Sequence, residues 1–177
     1  MAAEESRQDE IAKLQELVRR ERAARLKAEL LLDEKTQELN DERETLAQER
    51  FLLQALMDNI PDHVYFKDRR SAIIRISRAQ ATLFGLSDPV EAVGKTDFDF
   101  YPPEMANEFL SVEREIFQTG EPLIAIEQFV PNLPNGEPEW LQTTKVPLRD
   151  FEGEVIGLVG IARDGIHLVL RIATHKA

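Results

Sequence analysis

Asp58-Asn59-Ile60-Pro61-Asp62-His63-Val64-Tyr65-Phe66-Lys67 is the stretch at which this chain changes character. Pro61 lacks a backbone donor and disfavours helical geometry at the residue before it, so a helix arriving from upstream ends here. His63 to Lys67 is rich in β-favouring residues and reads as a first strand. Upstream, residues 1–50 contain no Gly, no Pro and no aromatic residue, and are dominated by Glu, Arg, Lys, Gln, Leu and Ala, all good helix formers. Downstream, from Phe51, lie all nine Phe, both Tyr, the single Trp, all eight Gly and all nine Pro. The chain therefore divides into a long helix over 1–57, a globular domain over 58–164 and a tail over 165–177.

Within the helix an apolar residue recurs every seventh position, at Ile11, Val18, Leu32, Leu39, Leu46 and Leu53, with Arg25 as the exception. A companion position three residues on holds Leu14, Ala28 and Leu56 but is polar at Glu21, Lys35, Glu42 and Glu49. A sustained seven-residue repeat calls for a partner helix, so a coiled-coil homodimer is expected, with Ile11, Val18, Leu32, Leu39, Leu46, Leu53 and Leu56 on its seam. The alternative is a single exposed helix held by Glu-to-Lys and Glu-to-Arg pairs four apart. At about 1.5 Å per residue, Ile11 to Met57 extends on the order of 70 Å, too far to pack wholly on a domain of this size.

Beyond the first strand, Ala72-Ile73-Ile74-Arg75-Ile76 reads as its hairpin partner across the polar turn Asp68-Arg69-Arg70-Ser71. Ser77 is placed to cap a short helix, Arg78 to Phe84, stopped by Gly85, and a further helical turn follows near Asp88 to Ala92. Pro103 to Thr119 sets Met105, Phe109, Val112, Ile116 and Phe117 on one stripe, which makes it the main helix, ended by Gly120. Three more strands, Pro122 to Val130, Glu137 to Leu148 and Glu154 to Ala162, form a meander linked by Asn132-Leu133-Pro134-Asn135-Gly136 and Arg149-Asp150-Phe151-Glu152-Gly153. The expected fold is α+β: a five-stranded antiparallel sheet with helices on one face.

That order carries Asn59-Ile60-Pro61-Asp62 before the first strand and Gly94-Lys95-Thr96-Asp97 among the helices. It also carries Trp140 six residues before Val146-Pro147-Leu148-Arg149-Asp150, and Gly157-Leu158-Val159-Gly160-Ile161 at the end. Together these resemble the PAS family of sensory domains over about residues 51 to 164. The resemblance implies a sensory, signal-transducing module with a pocket between sheet and main helix. On it, Phe66, Leu83, Phe84, Phe98, Phe109, Ile126, Trp140, Thr144 and Ile161 are candidate pocket or core residues. Family members commonly end the last strand with Asp-Ile-Thr and continue into a histidine kinase of a two-component system, a cyclic-dinucleotide enzyme or another PAS domain. Here the strand ends Arg163-Asp164-Gly165-Ile166, so Asp164 matches as the signal-output junction while the Thr is absent.

Composition excludes several chemistries. With no cysteine the chain has no disulfide, cysteine-zinc site, thiol nucleophile or cysteinyl-flavin adduct, and a cytoplasmic location is expected. A formal net charge of −11 repels phosphate backbones and anionic lipid, so neither nucleic acid nor membrane is an expected partner. His63, His167 and His175 lack ligand spacing, so no metal site is assigned. The family's haem members carry a histidine on the main helix, and Pro103 to Thr119 has none, which disfavours haem. Asp97 and Asp99 form a close acidic pair suited to a cation or to acid–base work, but helix capping beside Thr96 explains them more economically. No catalytic residue and no required cofactor emerges, and the ligand, if one binds, is unidentified. The expectation is a non-enzymatic sensor that dimerises through its helix, holds a small molecule and acts on a downstream signalling protein. A ligand-free interaction scaffold, or the sensor portion of a histidine kinase or diguanylate cyclase, are the alternatives.

Overall fold

The computed structural model describes residues 2–130 and 139–164. It divides into two compact units, Met1–Leu52 and Leu53–Ala177. Helix α1 runs without a break from Ala2 to Asn59. Its surface is laced by ion pairs at helical spacing, including Arg20 to Glu16 at 3.0 Å and Arg25 to Glu29 at 2.9 Å. The seven-residue apolar series stands exposed on this single chain: Ile11, Val18, Leu32, Leu39, Leu46, Leu53 and Leu56 all remain open to solvent, Leu39 and Leu46 at 55% each. A stripe of this length left bare is apolar surface that a single copy does not cover.

The second unit contains the last turns of α1, in which Met57 is only 2% exposed. Gln54, one turn earlier, accepts a hydrogen bond from Arg75. The compact unit begins at Leu53, four residues before the end of the 1–57 helix segment marked by composition, because these turns pack as part of the domain. The segment 165–177 lies outside the described residues. Pro61 closes the helix as expected, with Ile60 N–H bonded to the Leu56 carbonyl at 2.9 Å and Asn59 Nδ2 bonded to the Ala55 carbonyl at 2.7 Å.

The remaining elements are β1 (His63–Asp68), β2 (Ile73–Ile76), α2 (Arg78–Leu83), two short 3-10 turns at Pro89–Ala92 and Asp97–Asp99, α3 (Pro103–Thr119), β3 (Leu123–Val130), β4 (Glu139–Arg149) and β5 (Val155–Asp164). The five strands form one antiparallel sheet in the order β2-β1-β5-β4-β3. The hairpin and the meander are thus joined by the pairing of β1 with β5, which sets Tyr65 opposite Gly160 and Lys67 opposite Leu158.

Ser77 shows how locally dictated chemistry ties these elements together. Its hydroxyl accepts from Gln80 N–H at 3.2 Å as the cap of α2, accepts from Val64 N–H at 3.1 Å on β1, and donates to the Asp62 carbonyl at 3.1 Å. Two apolar clusters fill the space between sheet and helices. One joins Ile73, Ile76, Ala81 and Ala92 with Tyr65, Phe84, Leu86 and Phe100; the other joins Leu83, Leu141 and Ala162 with Tyr101 and Met105. Phe84 and Phe100 stack with ring centroids 3.9 Å apart.

Candidate functional site

Strand alternation sends His63, Tyr65 and Lys67 of β1 toward the helices, together with Leu141, Thr143 and Lys145 of β4. These residues wall a cavity of about 50 Å³. Its remaining lining includes Gln80, Leu83 and Phe84 of α2 and the residue after it, Asp97, Tyr101, Phe109 of α3, Gln128 of β3 and Ala162 of β5. Gly160 makes room beside it: a Cβ at that position would fall 2.1 Å from the Tyr65 ring.

The cavity is bounded by charge. Lys67 Nζ lies 2.5 Å from Asp97 Oδ2 and 2.7 Å from Glu113 Oε1, and Lys145 Nζ lies 3.3 Å from the same Glu113 oxygen. Glu113 is fully buried, and Lys67 and Lys145 are 3% and 4% exposed. Each ammonium also sits over an aromatic ring, Lys67 over Tyr65 and Lys145 over Phe109, both at 5.3 Å. Glu113 Oε2 and the nearby Ser71 Oγ are buried without a well-formed hydrogen bond.

Four opposed charges in so dry a place set one another's protonation. Burial opposes the charge on Glu113, yet Lys67 and Lys145 together outweigh it and hold the carboxyl below its usual range. Burial opposes the charge on Lys67, and Asp97 and Glu113 outweigh it, so its ammonium is held above its ordinary value. For Asp97 burial wins: reinforced by the charge on Glu113, it raises the carboxyl above the usual range despite Lys67. Burial also raises the phenols of Tyr65 and Tyr101, which remain hydroxyl donors, and lowers His63, which remains neutral.

Of the nine residues singled out from the sequence, Leu83, Phe84 and Phe109 line this cavity. The other six are corrected. Phe66, Trp140, Thr144 and Ile161 alternate with inward residues and belong to the opposite face of the sheet; Trp140 packs there on Phe129 with ring centroids 5.3 Å apart. Thr144 accepts from Ala125 N–H at 3.0 Å, satisfying the backbone where β3 bulges at a positive φ of 50°. Ile126 is 46% exposed near the sheet edge. Phe98 is 47% exposed, because it is Phe100 that turns inward onto Phe84. The acidic pair also splits. Asp99 accepts from Thr96 N–H at 2.8 Å as a cap, whereas Asp97 pairs with Lys67 and faces the cavity, so it is not a capping residue. Asp164 is the last residue of β5.

The chemistry-bearing residues that the sequence reading passed over are Lys67, Glu113 and Lys145. A signal was present for each. Lys67 shares the parity of His63 and Tyr65, Lys145 that of Leu141 and Thr143, and Glu113 falls on the same stripe of α3 as Phe109 and Ile116.

Residues 57–165 match a family described as PAS fold. A diguanylate cyclase of Vibrio cholerae is 29% identical over 129 residues, which span 72% of this chain and 40% of that protein. The aerobic respiration control sensor protein ArcB of Escherichia coli is 30% identical over 117 residues, spanning 66% of this chain and 15% of that one. The chain thus spans less than half the length of these curated relatives. Among solved structures, the Vibrio cholerae VqmA–ligand–DNA complex is similar at 26% identity and a TM-score of 0.56, over 68% of this chain and 57% of that chain. VqmA as a dimer in the absence of its target DNA matches at 28% identity and the same TM-score, over 62% and 50%.

Proposed function

Because the chain belongs to the PAS fold family, we propose that it is a sensory module whose cavity takes a small molecule and whose long helix pairs with that of a second copy. The observation that carries this reading is the cavity itself. It is a partly open space walled by Lys67, Asp97 and Lys145, where a folded chain seeking stability alone would place apolar side chains. The relatives support it in kind: a ligand complex is described for VqmA, and ArcB is named a sensor.

Occupancy of the cavity changes the balance within the Lys67–Asp97–Glu113–Lys145 group and hence the set of β1, β4 and α3. The last turns of α1 are tied to the domain through Met57 and the Arg75–Gln54 bond, which gives the sheet a route to the helix pair. Leu39, Leu46 and Leu53 form the seam of the dimer. The likeness to a diguanylate cyclase and to ArcB favours an output of the same kind, a cyclase or kinase governed by this module, over a ligand-free scaffold.

Native mass spectrometry of freshly purified protein, compared with the same sample denatured, tests the proposal. A dimer carrying a non-covalent passenger is expected. A monomer would overturn the pairing, and a dimer that neither retains a passenger nor binds one from a metabolite extract would overturn the ligand reading in favour of a scaffold.

A further inference from the structure

Resting on the reading of the cavity as a ligand site, we propose that its ligand is a small organic monocarboxylate of roughly two to four carbons, received by the Lys145 and Lys67 ammoniums.

Three features of the geometry lead there. First, the charges are unequally presented. Lys67, Lys145 and Asp97 line the cavity, whereas Glu113 sits behind the two lysines and does not. A molecule inside therefore meets two ammoniums and one carboxylate, an environment that rejects a cation and suits an anion. Second, the two lysines are unequally served. Lys67 makes two short bonds, to Asp97 and Glu113, while among the described residues Lys145 has one contact at 3.3 Å, shared on an oxygen that Lys67 already holds. An ammonium carries three donors, so a buried Lys145 has capacity directed at the space it lines. Third, the size is narrow. A cavity of about 50 Å³ holds about three or four waters, equivalent to a molecule of about half a dozen heavy atoms. Leu83, Leu141, Phe109 and Ala162 supply the apolar wall for a short alkyl group, and Tyr101 and Thr143 supply further hydroxyls.

A carboxylate added to two lysines and two ionised acids would leave one negative charge in excess in a buried place. Asp97 resolves this by taking one proton from solvent as the ligand enters. The groups that face it are Lys67 and Tyr65 on β1, Glu113 on α3, Lys145 on β4, and Tyr101 just before α3. Burial and Glu113 already hold its carboxyl above the usual range, so Asp97 is the acid among them that accepts the proton. Binding is then linked to proton uptake, and affinity falls about tenfold per pH unit where the uptake is complete.

Acetate, propionate and butyrate, each matched against chloride and against acetamide and propionamide, are titrated into the full chain. Thermal shift and calorimetry are read in two buffers of different ionisation heat. The carboxylates are expected to raise the melting temperature and to take up close to one proton, while the amides do neither. Lys145→Met is expected to weaken carboxylate binding at least tenfold. Asp97→Asn, which keeps the shape of a protonated Asp97, is expected to bind with an affinity independent of pH, and this readout stands even if the lysine variant folds poorly. Amides binding as well as carboxylates would overturn the ligand class while leaving the cavity as a ligand site. Carboxylate binding with no proton uptake would overturn the role of Asp97, and no binding by either series would overturn the inference, the native mass measurement deciding separately whether another molecule occupies the site.

Discussion

Lys67 Nζ lies 2.7 Å from Glu113 Oε1, joining a strand to the main helix across 46 positions of sequence by a charge pair from which solvent is excluded. Removing one partner strands the other. Glu113→Gln leaves Lys67 and Lys145 inadequately compensated and is expected to cost about 3–5 kcal/mol, measured by urea unfolding. Replacing Lys67, Glu113 and Lys145 together by apolar residues of similar volume is expected to restore most of that loss, because the desolvation penalty disappears with the charges.

The same group sets how stability responds to pH. Glu113 is held below 4.5, so its contribution is complete above that value and is lost as pH falls through its folded value. Lys67 is held above 10.5, so its contribution is complete below that value and is lost as pH rises through its folded value. Asp97 works in the opposite sense to Glu113: raised above 3.8, it makes the folded state bind the extra proton, and stability declines as pH climbs through its folded value. Denaturant midpoints across pH are expected to lose that decline in Asp97→Asn and to lose Glu113's part of the acid limb in Glu113→Gln.

Gly157 allows β5 to lie against β1. A Cβ there would stand 2.2 Å from the Lys67 carbonyl oxygen, a backbone atom that cannot swing aside. Gly157→Ala is expected to destabilise by about 1–3 kcal/mol through a forced shift of the strands, with a thermal melt as the check.

Ser77 satisfies two backbone donors and one carbonyl at once while fully buried. Ser77→Ala is expected to cost about 2 kcal/mol, toward the upper end for a lost helix cap, because the Val64 N–H is orphaned as well. Ser77→Thr, which retains the hydroxyl, is expected to recover part of it, read from denaturant midpoints.

Leu46 and Leu53 stand exposed on a single chain at 55% and 39%. Leu46→Asp with Leu53→Asp is expected to convert a dimer to monomer in sedimentation equilibrium. An unchanged mass would remove these leucines from the seam.

The elements themselves were legible because each depends on neighbours in the chain. Pro61 ends a helix by its own covalent geometry, Ser77 and Gly120 cap by side-chain and φ preference, and runs of β-favouring residues between turn signals mark β1, β4 and β5. The cavity was legible only in part. Leu83, Phe84 and Phe109 could be found as apolar residues on inward positions, but Phe98 and Phe100 differ by a side of one 3-10 turn, and their exposure follows from how that turn sits against Phe84.

By itself the sequence determined the long helix, its seven-residue stripe, the strand–helix–strand order and the PAS family likeness, since local sterics, hydrogen-bond geometry and hydrophobic period operate over a few residues. Only the tertiary structure decided that Lys67, Asp97, Glu113 and Lys145 meet. A lone charged residue in a sequence carries the expectation of solvent. That expectation is reversed here because β1, β4, α3 and the turn at Asp97 each bring one charge to the same dry point, where opposite charges compensate one another at distances no sequence separation reveals.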